Sequence, residues 1–349
     1  MSAKFKRTAT IILFALIGVA ILWFITRGQD LNRIWNEFLS ANFIWVLLSI
    51  VSGAISHVLR ALRWNLLISS MNHKSKTSTT FYALMTGYLA NLAVPRLGEV
   101  TRCATLSKYS GVPFNVLAGT VVAERVFDLI CLVVLILFTI VLQFQFLKEF
   151  LDYYVFSPIL TIAEGKIWVL LFISLLGLGL LILIWKYFKN VSSQKKSLAS
   201  KIKRQLIGFL KGMASLGLLK RKVLFLVYSF FIWVLYLLMV YLVFFALNAT
   251  SHLGIMAGLT LLVMGSLGIV APVPGGVGTY HFIVIITLTE LYTIASEPAT
   301  SYAYLAHASQ MLMVILLGAF SWMMLSIKVK GLSKKVVSPQ PEIIKKSCF

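Results

Sequence analysis

The stretch Gly87–Arg102 reads GYLANLAVPRLGEVTR, and a second stretch, Gly265–His281, reads GSLGIVAPVPGGVGTYH. Both begin apolar, break at proline and glycine, and then resume. Pro95 and Gly98 of the first match Pro272 and Gly275 of the second at a constant offset of 177 residues. Proline removes a backbone donor and clashes with the preceding turn, while glycine tolerates the reversal that follows. Neither stretch suits an ordinary transmembrane helix. Broken backbone at membrane depth survives only where protein covers it or where it lines a wet cavity. Interrupted helices at corresponding places in two halves of a chain point to a transport site.

The surrounding composition fixes the class. The 349 residues are 59% hydrophobic and 12% charged, and the mean hydropathy is +0.91. Several apolar runs approach or exceed about 18 residues, enough to cross a hydrocarbon core of about 30 Å. This is an all-α polytopic membrane protein. A net charge of +21 would also suit nucleic acid. The Lys and Arg residues, however, cluster between apolar runs, where positive-inside loops and anionic headgroups account for them. No nucleic-acid partner is expected. Cys103, Cys131 and Cys348 are scattered and odd in number, so no disulfide framework is expected. The histidines at 57, 73, 252, 281 and 307 lack metal-ligand spacing. No metal, cofactor or nucleotide-binding motif is expected.

Charge asymmetry sets the topology. Lys4, Lys6 and Arg7 precede a first span at about 9–25; no small-residue cleavage site follows, so it reads as a span rather than a signal peptide. The second span, about 43–62, ends in Arg60 and Arg63. The first broken stretch follows as a re-entrant pair of arms, about 81–95 and on to 108, dipping in from the cytoplasm. The third span covers about 114–142, the fourth about 166–187 and the fifth about 223–247. Between the fourth and fifth, residues 188–222 carry ten Lys/Arg and no acid, marking a cytoplasmic loop. From Asn248 to Thr300 there is no Lys or Arg, so the second broken stretch dips in from outside. The sixth span, about 301–327, leads to a Lys-rich cytoplasmic tail, 331–349. Residues 1–330 thus form one transmembrane domain of six spans and two re-entrant helical hairpins. The first repeat is about 9–142 and the second about 166–327. Three spans per repeat invert the second against the first, as in many secondary transporters. The alternative is eight to ten ordinary kinked spans. The localisation expected is the cytoplasmic (inner) cell membrane, with both termini cytoplasmic.

Helix resumes after each break, so two N-termini with free N–H groups would face each other if the tips meet, and such ends attract anions. Arg96 adds a charge at the first tip, and Pro274, Gly275, Gly276 and Gly278 allow close backbone approach at the second, or merely tight packing. Glu99 and Arg102 share a helical face, and Glu124, Arg125 and Asp128 put three charges within five positions of the third span. Each charge near the bilayer centre costs about 2.5–3.5 kcal/mol on insertion scales, so partners or water are required. The expected pairs are Arg125 with Asp128 and Arg102 with Glu124, either holding the hairpin to the span or lining a path. Asn91 and His281 complete the substrate-binding candidates. Arg60 and Arg63, beside Trp64, read as interfacial anchors that can also capture a headgroup. No nucleophile–base–orienter set is visible, so no enzyme activity is expected.

These residues carry a resemblance. Gly87 to Asn91, Pro95-Arg96-x-Gly98-Glu99 with Arg102, Glu124-Arg125-x-x-Asp128, and Pro272-x-Pro274-Gly275-Gly276-x-Gly278 together resemble the lysylphosphatidylglycerol synthase transmembrane region. This is the flippase-like domain of multiple peptide resistance factors and of stand-alone membrane proteins. The resemblance covers about residues 9–327. It implies lipid translocation: of aminoacyl-phosphatidylglycerol in the fused proteins, and of other lipids, polyprenyl phosphates included, in stand-alone members. Only about 20 residues follow Ile327, so synthase activity is not expected. The function expected is translocation of an anionic or zwitterionic lipid headgroup between the hairpin tips. The rivals are a secondary transporter of a small anionic solute, and a non-transporting partner of a glycosyltransferase or other lipid-modifying enzyme.

Overall fold

The computed structural model describes residues 26–94, 97–153, 219–271 and 273–337, together with positions 16, 18, 20–24, 157 and 217. The expected fourth span, most of the first span, most of the basic loop and the end of the tail lie outside the described residues, as do Pro95, Arg96 and Pro272.

Ten α-helices are described: α1 (Leu31–Leu39), α2 (Phe43–Ser70), α3 (Thr77–Ala93), α4 (Leu97–Ser110), α5 (Phe114–Leu142), α6 (Phe144–Leu151), α7 (Lys222–Phe244), α8 (Ile255–Val270), α9 (Thr279–Tyr292) and α10 (Ser296–Val337). No strand occurs among the described residues. Four helices are long and apolar enough to cross a membrane: α2, α5, α7 and, to Ile327, α10. Large apolar side chains stand exposed along their outer faces, among them Leu137 and Phe138 on α5 and Leu316 and Trp322 on α10. In a polytopic chain those are the surfaces that meet lipid. α5 fits its sequence expectation, whereas α2 runs eight residues beyond Leu62 to Ser70.

The breaks have a local cause. Val94 is extended (φ −140°, ψ 120°) and so is Ala271 (φ −56°, ψ 142°), each immediately before a proline. A proline disfavours helical backbone at the residue before it, so α3 and α8 stop there. Gly275, Gly276 and Gly278 then take φ of 60°, 75° and 87°, in the left-handed region that a Cβ disfavours. A one-turn 3₁₀ segment, Pro274–Gly276, carries the chain into α9. Each broken stretch is therefore a helical hairpin, α3–α4 and α8–α9. Asp30 accepts from the Asn32 and Arg33 amides at 2.9 and 3.2 Å, which starts α1 inside the loop 27–41. α6 likewise forms between the expected third and fourth spans.

The packing repeats with the halves exchanged. α2 lies against α7; α3 against α10 and α8 against α5; α4 against α5 and α9 against α10; α2 against α3 and α7 against α8. Each of these contacts has its counterpart in the other half, as a two-fold internal repeat requires. The α2–α7 seam uses small residues, with Gly53 against Met239 and Met313, and with the Ser49 hydroxyl donating to the Met239 carbonyl at 2.8 Å. Small residues are what allow membrane helices to approach closely. Two apolar cores result. One gathers Val46, Val240, Phe244, Leu261, Val284 and Tyr302; the other gathers Trp64, Leu67, Leu106, Leu117 and Phe225. Read along α2, Arg60 and Arg63 fall between the two.

Candidate functional site

Between the cores lies an ion-pair network. Arg60 and Arg63 are buried on α2, and Trp64 beside them is fully buried. Their side chains are therefore turned into the protein and not out toward lipid or solvent. Ser49, Ser52, Gly53, Ser56, Arg60 and Arg63 recur at three- and four-residue spacing and are all buried, so the arginines continue an inward-facing stripe. That stripe is legible in the sequence, and the neighbouring Trp64 obscured it.

The carboxylates of α5 receive these arginines. Arg60 donates to Glu124 at 2.6 Å and to Asp128 at 3.0 Å. Arg63 donates to Asp128 at 2.7 Å and lies 3.5 Å from Glu124. Arg102, on α4, reaches Glu124 at 3.4 Å, as expected. The expected Arg125–Asp128 pair is absent. Arg125 turns instead to Glu99 across the α4–α5 contact, at 3.4 Å, because Asp128 faces α2. Hydroxyls of α7 complete the network: Tyr236 accepts from Arg60 at 2.8 Å, and Ser229 from Arg63 at 3.1 Å. Arg102 also lies over the Trp64 ring, 4.9 Å from its centroid. Full burial of Glu124 among three guanidiniums meets the condition under which charge survives in a membrane interior.

The hairpin tips are closed by their own side chains. The Gly98 amide donates to Asn91 Oδ1 at 2.6 Å across the first break. A Cβ at Gly98 would collide with the Gly87 carbonyl, and one at Gly87 would lie 2.7 Å from the Gly98 carbonyl. At the second tip the Gly278 amide donates to His281 Nδ1 at 3.3 Å. His307, on α10, donates from Nε2 to the Gly275 carbonyl at 2.9 Å. The two tips meet, with Gly275 against Leu92 of α3. One amide at the start of each returning helix, Gly98 in α4 and the N-cap Gly278 of α9, is thus already engaged. His281 and His307 pack with ring centroids 4.7 Å apart, and Tyr280 and Tyr304 flank them. In both halves the returning arm meets the last span through polar side chains: Arg102–Glu124 and Glu99–Arg125 in the first, His281–His307 in the second.

A cavity of about 510 Å³ opens beside the network. Its polar wall is formed by His57, Arg60, Tyr88, Asn91, Arg125 and Asp128. The opposite wall is apolar and includes Leu129, Ile269 and Val270, which are 59%, 49% and 64% exposed. The cavity therefore opens sideways between α5 and α8, onto the apolar outer surface. Gln143 clasps the same two helices at the end of α5, donating to the Met256 carbonyl at 3.2 Å and the Thr260 hydroxyl at 3.1 Å. Tyr88, His57 and Tyr236, not among the sequence candidates, also line the cavity, and Tyr236 accepts from Arg60 there. Tyr88 sits within the quoted GYLAN run, one helical turn before Asn91. Among the described residues no group of three or more His, Cys, Asp or Glu is placed to hold a metal.

Comparisons place the chain. A UPF0104 membrane protein of Pyrococcus horikoshii is 24% identical over 290 residues, covering 76% of this chain and 83% of that protein. Another, from Methanothermobacter thermautotrophicus, is 26% identical over 299 residues, covering 81% and 85%. A third, from Methanocaldococcus jannaschii, is 26% identical over 163 residues, covering 45% and 47%. No solved structure matches. The family described as "Lysylphosphatidylglycerol synthase TM region" matches residues 11–318, which takes in both hairpins and the whole charged network, and the chain belongs to that family.

Proposed function

We propose that this protein translocates a lipid across the bilayer, passing the headgroup through the cavity while the acyl chains remain outside. One observation carries the reading: a single cavity joins a charged wall to an apolar opening between α5 and α8. A soluble solute would need no such sideways opening. In this reading α3–α4 and α8–α9 are re-entrant hairpins that enter from opposite leaflets, and both termini lie in the cytoplasm of a cell-membrane protein. The charge runs of the sequence support that orientation. The protein acts as a carrier without its own catalysis, and direction comes from a gradient, the membrane potential or consumption of the product.

The test is headgroup crossing in liposomes, using a fluorescent phospholipid quenched from outside. Wild-type protein accelerates crossing, and Arg60→Met and Arg125→Met, checked for folding by size exclusion, slow it. Crossing no faster than in empty liposomes, over a panel of headgroups, would refute the proposal. Uptake of a soluble anion without lipid crossing would favour the solute-carrier reading instead.

A further inference from the structure

The buried network is not neutral. Arg125 and Glu99 balance one another at 3.4 Å, each about one-third exposed. The rest of the cluster holds three arginines, Arg60, Arg63 and Arg102, against two carboxylates, Glu124 and Asp128. Each carboxylate accepts hydrogen bonds from guanidinium donors. Three positive charges less two negative leave one positive charge, with no further acid in the network among the described residues. The surplus falls on Arg102. It is 1% exposed, its one carboxylate contact is at 3.4 Å, and its Nε and Nη2 have no hydrogen-bond partner. Beside the cavity, the Tyr88 hydroxyl and Arg125 Nε are buried and equally unpartnered. An uncompensated charge in a low-dielectric interior is costly, and a counter-charge relieves it. The cavity is where that counter-charge can be brought in.

We propose that the guest is a headgroup of one net negative charge, a phosphodiester monoanion, held against Arg60, Arg125 and the Tyr88 hydroxyl, and that cationic headgroups such as aminoacylated ones are disfavoured. This rests on the translocation reading only for the lipid source; the charge rule follows from the network. Tyr88 donates to a phosphate oxygen, and Arg125 offers its Nε edge. Arg102 acts from behind Glu124 without touching the guest. A unit charge roughly 10 Å away through an effective dielectric of about 20 is worth on the order of tenfold in affinity.

The experiment is native mass spectrometry of the full chain in detergent, with phosphatidylglycerol, phosphatidylcholine and a trimethylammonium lipid in competition. Inorganic phosphate and glycerophosphoglycerol serve as tail-less probes. Wild-type protein retains phosphatidylglycerol over phosphatidylcholine by about tenfold and excludes the cationic lipid. Arg102→Met removes the surplus and brings the ratio toward one; Arg102→Lys keeps the charge and keeps the ratio. Tyr88→Phe lowers phosphatidylglycerol retention in a protein that still melts like wild type. Equal retention of all three lipids, or an unchanged ratio in Arg102→Met, overturns the proposal. If the tail-less probes bind as tightly as the lipid, the lipid source fails while the charge rule stands. The same panel is run for crossing in liposomes. Charge-selective binding without crossing removes the translocation reading alone, and crossing indifferent to charge removes the charge rule alone.

Discussion

Replacing Glu124 by Gln is the sharpest perturbation of the network, because it keeps the shape and removes the charge. Glu124 is fully buried, 2.6 Å from Arg60, 3.4 Å from Arg102 and 3.5 Å from Arg63. At about 4 Å and an effective dielectric of about 20, each such attraction is worth about 4 kcal/mol before desolvation is counted. Removing one partner of a buried charged pair costs about 3–5 kcal/mol net, because the remaining charges stay buried. In Glu124→Gln the surplus rises from one positive charge to two. In Arg102→Met it falls to zero, since Arg60 and Arg63 then balance Glu124 and Asp128. That variant gives up the 3.4 Å contact with Glu124 and the Trp64 ring contact, the latter worth about 0.5–2 kcal/mol, but also removes an unmatched buried charge, which offsets much of the loss. Thermal melting of the purified protein in detergent reads the difference. At about 2–4 °C per kcal/mol, Glu124→Gln lowers the midpoint by roughly 6–20 °C and Arg102→Met by no more than a few degrees. The pair Glu124→Gln with Arg102→Met recovers most of the loss. Equal losses for the two single variants would refute the charge bookkeeping, and so would a double variant worse than their sum.

Asn91→Ala removes the acceptor of the Gly98 amide and costs about 1 kcal/mol, as for a lost helix cap, whereas Asn91→Asp retains the bond; melting midpoints check both. Gly98→Ala drives a Cβ into the Gly87 carbonyl and separates α3 from α4, so it lowers the midpoint by more than Asn91→Ala does. His307→Phe leaves the ring packing against Tyr280 but frees the Gly275 carbonyl. Faster hydrogen exchange at residues 275–279, with α10 unchanged, is the expected result. Gln143→Ala unclasps α5 from α8 and speeds headgroup crossing in liposomes; slower crossing would count against the sideways opening.

The hairpins were legible because proline acts locally: Val94 and Ala271 are extended for a reason that needs no tertiary information. The third span was legible because α5 is bounded by Pro113 before it and Gln143 after it. The ion pairs were read only in part. Helical spacing brings Arg125 and Asp128 close along α5, yet tertiary packing turns one toward α4 and the other toward α2. No spacing rule sees that. The burial of Arg60 and Arg63 was not read because a basic pair beside a tryptophan suits the headgroup zone as well as it suits a buried seam. The serine stripe before them breaks that tie. α1 and α6 were missed because short amphipathic segments in a charged loop look like loop until a cap such as Asp30 is recognised.

The returning arms of the two halves are pinned differently, one by opposite full charges and the other by two imidazoles and a carbonyl. Parts that match in shape but not in chemistry do not come loose at the same cost. Prying Arg102 from Glu124 exposes ions to a dry interior, whereas parting His281 from His307 gives up only a ring contact. The α4–α5 contact thus rests on opposite full charges, whereas the α9–α10 contact rests on imidazole rings and one bond to the Gly275 carbonyl.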